Sequence, residues 1–284
     1  MIRSTLPAVA MLVLLAGTLR AQDPYAPVAP FPLGDVLLTL PTSHIPARGT
    51  WEVKFTHRFN QPIDEGEWVH SLFGLDSGAN VTMGLSYVPR DDVQLAVARS
   101  NVLDTIEASA KYVVVQQAPA IPITVTLRGG AAWRTERNVD DRSSWFGQAI
   151  VSRQFGRRVA LYAMPTLVTG AGRAVSGEAS AALFRHAFNV PVGVSFMIQP
   201  ATSLIAEVIP VNRDLPGSID SELSWALGVK RAIGGHYFEI LLTNNNATTV
   251  DQYVTSTYQG GPLRRGDIQL GFNIERRFGR NRRP

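Results

Sequence analysis

The five histidines, His44, His57, His70, His186 and His236, are the natural first place to look for chemistry. No two stand at H-x-x-x-H spacing, and the chain has no cysteine to complete a zinc site. Ser71 beside His70 supplies the residue types of a hydrolase, but no G-x-S-x-G elbow presents a nucleophile. There is no Walker loop and no dinucleotide fingerprint. Gly234-Gly235 reads better as a tight hairpin turn that needs positive φ. The expectation is therefore a protein without catalytic residues, metal or cofactor. What remains is a dispersed set of polar side chains of both signs: Glu52, Lys54, Arg58, Glu107, Lys111, Arg128, Glu207, Lys230, Glu239, Gln269 and Glu275. A charge in a dry interior is costly unless paired, so a mixed set on one face suits a wet lumen or a salt-bridged filling.

These residues share one face because the segments that carry them alternate. Trp51, Val53, Phe55 and Phe59 lie opposite Glu52, Lys54, Thr56 and Arg58. Ile268, Leu270, Phe272 and Ile274 lie opposite Gln269, Gly271, Asn273 and Glu275. Side chains on a strand change face at every residue, and strands of about nine to eleven residues cross a hydrocarbon layer. We read twelve strands, at 51–59, 79–88, 93–100, 105–115, 121–133, 145–155, 159–168, 191–199, 202–211, 221–231, 235–244 and 266–278. Their connections alternate between short turns and long polar loops, the habit of transmembrane barrels, with 101–104 the one short exception on the long side. The stretch 177–185 also alternates. A thirteenth strand there would break the even count, so it is read as part of an external loop. Trp51, Phe59, Tyr87, Tyr112, Trp133, Trp145, Phe155, Trp225 and Phe278 lie near strand ends, where aromatic girdles sit. The fold expected is an all-β, antiparallel up-and-down transmembrane β-barrel.

The chain ends fit export. Residues 1–21 read as a cleaved signal peptide, with Arg3 before the apolar run Leu6 to Leu15 and Ala21 ahead of the cut. Residues 22–50 carry six prolines and read as an extended periplasmic leader, since proline cannot donate to a ladder. The barrel would occupy 51–278, and 279–284 a basic tail. The formal charge of +4 falls to +2 without Arg3 and Arg20, too little to argue for nucleic acid. The absence of cysteine suits an exported chain that needs no oxidant to fold.

Several strings, in order, resemble a family of bacterial outer-membrane β-barrels filed as a domain of unknown function. They include L-P-T-S-H (40–44), H-R-F (57–59), L-F-G-L-D (72–76), A-E-V-I-P (206–210), G-G-H-Y-F (234–238), T-N (243–244) and G-F-N-I-E-R (271–276). The resemblance spans about residue 40 to 278 and implies a barrel in the outer membrane, in contact with its lipid, but no activity. A terminal strand ending in the aromatic Phe278 also resembles the signal read by the barrel-assembly machinery. Twelve strands fall between side-chain-filled eight-stranded barrels and open sixteen-stranded ones, so a lumen would be narrow and easily blocked. The expected role is a narrow pore or small-solute transporter. The alternatives are a structural or docking barrel whose loops 60–78, 169–190 and 245–265 bind a partner, and a secreted soluble β-protein.

Overall fold

In the computed structural model the described residues are 23–28, 33–63, 72–137, 143–170, 186–210, 222–254, 257–258, 261–262, 264 and 266–279. The signal segment, the stretch 177–185 and the tail from residue 280 lie outside them. Alternating segments pair in sequence order into one antiparallel sheet. Its strands are β1 (Trp51–Phe59), β2 (Ala79–Arg90), β3 (Val93–Ser100), β4 (Thr105–Val115), β5 (Thr124–Arg134) and β6 (Ser143–Phe155). They continue with β7 (Val159–Ala163 and Thr166–Thr169), β8 (His186–Asn189 and Val192–Gln199), β9 (Thr202–Ile209), β10 (Ser224–Ile233), β11 (His236–Thr243) and β12 (Gln269–Phe278). The last strand returns to the first, with Trp51 opposite Phe278 and Arg58 opposite Gly271, which closes a twelve-stranded barrel.

Two strands are broken where proline removes a ladder N–H. Pro165 interrupts β7 and Pro191 interrupts β8, yet both halves keep their partners without a change of register. Pro191 hid the first half of β8 from the sequence pattern, so the strand begins at His186 and not at 191. The hairpin at Gly234-Gly235 has the expected positive φ at both residues, +55° and +83°.

Alternation places an apolar band outside, including Met83, Leu95, Leu127, Leu167, Leu227 and Ile240, all exposed large hydrophobics. Trp51, Tyr87, Tyr112, Phe155 and Phe278 ring the short-turn end, while Trp133, Trp145 and Trp225 lie toward the long-loop end. The rings of Trp51 and Tyr87 meet at a tilt of 30° with centres 4.3 Å apart. Phe59 is buried and packs against His57 (4.4 Å between ring centres), so it does not join the girdle.

Candidate functional site

The barrel interior has two unlike walls. Inward positions of β12 and β1 to β5 carry mainly charged, amide, hydroxyl or very small side chains, with Val88 and Val113 packed on Ile45 as apolar exceptions. Those of β6 to β11 add a run of apolar ones, among them Ile150, Tyr162, Met164, Val168, Ile205 and Leu241, which form the main buried cluster. An apolar inner wall must be covered, and two chain segments cover it.

The first is part of the proline-rich leader, residues 33–46, which lies inside the barrel. Leu33, Leu37, Leu38 and Leu40 are almost completely buried against that wall. The prolines do keep the segment out of the ladder, but its leucines gain more from the barrel's apolar wall than from water. Two inner glycines make the seat. A Cβ on Gly193 would stand 2.5 Å from Leu37 Cδ1, and one on Gly228 would stand 2.9 Å from Leu38 Cδ2.

The wall charges hold the segment's backbone. Glu207 Oε1 accepts from the amides of Leu38 (2.8 Å), Thr39 (3.1 Å) and Leu40 (3.0 Å), and Oε2 accepts from Thr39 (3.1 Å). Arg58 Nη2 and Asn273 Nδ2 both donate to the Leu38 carbonyl, at 3.1 and 2.7 Å. Lys230 donates to the carbonyls of Leu33 and Val36 and pairs with Glu239 at 2.6 Å and Glu275 at 3.4 Å. Glu275 in turn accepts from the Asp35 amide at 3.0 Å, beside Gly34, where a Cβ would lie 2.4 Å from its carboxylate. Lys111 pairs with the Asp35 carboxylate at 2.5 Å. Burial opposes ionisation of Asp35, but Lys111 and Lys54 outweigh it and hold its carboxyl below the ordinary range.

The second segment enters from the opposite end. The connection 245–265 was expected to be external, but its first part, 244–254, turns into the barrel and ends in the short helix α1 (Val250–Val254), all five residues of which are buried. Asp251 pairs with Arg134 at 2.6 Å, Val250 N donates to Glu107 at 2.9 Å, and Gln148 donates to the Tyr253 hydroxyl at 2.9 Å. Its apolar residues Ala247, Val250, Tyr253 and Val254 complete the cluster begun by the leader leucines. The strong i, i+3 apolar signal of a long helix is absent from so short a turn, which is why the sequence pattern passed over it.

All eleven side chains singled out from the sequence are directed into this interior. Glu52 pairs with Arg277, Arg128 with Glu107 at 2.6 Å, and Gln269 donates to the Asn60 carbonyl near the long-loop rim at 3.0 Å. Lys54 lies beside Asp35, 3.9 Å away. The others are the anchors already described. The chosen set left out Arg134, Asn273 and Arg277, although each has the parity of a chosen neighbour in its strand, and Gln148, whose strand β6 contributed none. It had no way to find Asp35 or Asp251, whose place comes from the two inserted segments.

The inserted segments bury most of the apolar wall and leave space beside the polar one. A cavity of about 60 Å³ lies between the leader, α1 and β1 to β5. Its wall is made of small inward residues, Gly84, Ala96, Ala98 and Ser109, and these stay partly accessible although they point inside. A second cavity of about 250 Å³ opens near His44, between the leader and the short-turn end of the wall.

A closed antiparallel barrel with an apolar outer band, aromatic ends and a polar-lined interior is the architecture of a membrane-spanning β-barrel. The chain belongs to the family described as a membrane bound beta barrel domain (DUF5777), whose pattern matches residues 34–278 and so takes in the inserted leader as well as the barrel. Among solved structures it is similar to the NanC porin, at 8% identity and a TM-score of 0.52, covering 81% of this chain and 100% of that one. An outer membrane channel from Pseudomonas putida F1 matches at 12% identity and a TM-score of 0.47, covering 82% of this chain and 97% of that one. Omp33 from Acinetobacter baumannii matches at 10% identity and a TM-score of 0.42, covering 81% and 98%. At 8% identity the likeness to the NanC porin is one of fold alone. No curated protein matches the sequence.

Proposed function

We propose that this protein is a non-enzymatic outer-membrane barrel that acts as a narrow, gated pore for small polar solutes. The observation that carries the reading is the eccentric cavity, bordered by small and charged residues on one wall and by the two inserted segments on the other. A barrel needed only as a scaffold would gain stability by filling that space with apolar side chains. The leader is the gate in this reading, because it is held by hydrogen bonds and ion pairs to wall side chains and contributes no strand to the ladder. Delivery through the signal peptide and insertion by the barrel-assembly machinery through the Phe278 strand complete the proposal.

Full-length protein reconstituted in planar bilayers tests it. Discrete conductance steps of low amplitude are expected, and deleting residues 33–46 should raise the amplitude. A silent wild type together with a silent deletion variant, both correctly folded by heat-modifiable gel migration, would leave the structural barrel as the better account.

A further inference from the structure

The charges around the eccentric cavity are unequally paired. Asp35, Glu52 and Glu107 line it with three negative groups and Lys54, Arg58, Lys111 and Arg128 with four positive ones, while the adjoining Glu207, Glu239, Glu275, Lys230 and Arg277 bring the two signs to six each. Most have a clear partner. Lys111 is 2.5 Å from Asp35, Arg128 is 2.6 Å from Glu107, and Glu52 pairs with Arg277 from outside the cavity. Arg58 donates to Asn273 at 2.7 Å and feels the carboxylates of Glu239 and Glu207. Lys54 is left over. Its ammonium is 3.9 Å from Asp35, too far for a hydrogen bond, and that carboxylate is already engaged by Lys111. Its side chain keeps 23% of its accessible surface although it points into the barrel.

A second group with unmet capacity borders the same space. Gln94 is 2% exposed, its Nε2 donates to Ser86 Oγ at 2.9 Å, and its Oε1 has no partner. A buried amide oxygen without a donor costs free energy that a bound hydroxyl would recover. Gln94 sits opposite Lys111 in the ladder of β3 and β4, and Lys54 sits opposite Gly84 in that of β1 and β2, so the two border the patch of small wall residues.

We propose that this cavity is a binding site for a short hydroxycarboxylate, with Lys54 holding the carboxylate and Gln94 Oε1 accepting from the hydroxyl. Size limits the ligand. A water needs about 10–15 Å³ of such space, so roughly 60 Å³ takes about four to six non-hydrogen atoms, the size of glycolate or lactate. A neutral polyol would offer the ammonium no anion to hydrogen-bond, and a dicarboxylate would set a second carboxylate beside Asp35 and Glu107. The assignment deepens the pore reading by naming its solute class, and its physiological use rests on that reading.

The experiment is a titration of the full-length protein in detergent with sodium glycolate and, separately, sodium acetate, followed by calorimetry or ligand-observed NMR. So small a ligand should bind with Kd no tighter than about 10 µM. Glycolate should bind more tightly than acetate. Lys54→Gln should weaken both by about tenfold or more, and Gln94→Leu should remove the preference for glycolate. Lys54→Arg keeps the charge and should stay within a few-fold of wild type, which covers the case in which the glutamine variant fails the heat-modifiability check. Absence of glycolate binding to wild type, or equal binding by folded Lys54→Gln, overturns the site. Wild-type conductance in potassium chloride separates the two readings. A conducting protein that ignores glycolate retains the pore and loses the site, and one that binds glycolate but never conducts retains the site and loses the pore.

Discussion

Removing the Glu207 carboxylate should release the leader while leaving the barrel intact. In Glu207→Ala, the amides of Leu38, Thr39 and Leu40 lose their acceptor, with bonds now at 2.8, 3.1 and 3.0 Å. Each orphaned buried donor costs about 1–3 kcal/mol, so the three together cost roughly 3–6 kcal/mol after some relief from water. Burying the carboxylate itself carries a penalty of a few kcal/mol that the variant no longer has. The net is about 2–4 kcal/mol against docking, a rise of roughly 30- to 1000-fold in the undocked-to-docked ratio. Glu207→Gln can keep its carbonyl where Oε1 now stands and loses mainly the charge, which halves the bond strengths, so about 1–2 kcal/mol is expected. The assays are bilayer conductance and limited proteolysis within 33–46 on protein in vesicles. Conductance and cleavage should both rise in the order wild type, Gln, Ala, with heat-modifiable migration unchanged. If all three variants share the wild-type conductance and the same protected leader, the carboxylate is not the latch.

The remaining predictions address the other anchors. Arg134→Met leaves Asp251 buried without its 2.6 Å partner and should cost about 3–5 kcal/mol, seen as early proteolysis within 244–254 while the barrel keeps its gel shift. Acidification should weaken leader docking. Burial, then Arg277 and Lys111, hold the His44 imidazole far below its usual value, at about 3, with Asp35 opposing. Docking is therefore undiminished above about pH 6.5 and falls as the pH drops toward 3, because the free leader takes up a proton that the docked one refuses. Conductance should accordingly climb between pH 6.5 and 4, and His44→Gln should flatten that climb. Asp35, held low by Lys111 and Lys54, adds the same trend only below its ordinary value near 4. On the outer face, Leu227→Arg should cost about 2–4 kcal/mol of barrel stability if it lies near the midplane, measured by urea unfolding in vesicles.

Alternation, proline and glycine placement, and loop length are local properties, and they made the barrel legible in the sequence. The parity of Glu52 and Lys54, or of Lys111 and Arg128, follows from a two-residue period that no distant contact can alter, because a slip of one residue would turn every oily side chain inward. Twelve strands and the inward direction of the charged set follow from the same rule. What fills the barrel does not. Leu33, Leu37, Leu38 and Leu40 look like a loose leader until β7 to β11 curve round to present Tyr162, Ile205 and Leu241, with Gly193 and Gly228 withdrawn to admit them. The role of Glu207 likewise depends on three amides some 170 positions away in the chain, at separations of 169, 168 and 167. Closure of the sheet brings those groups together, and only after closure does a charged strand residue become an anchor and a proline-rich leader become part of the barrel's filling.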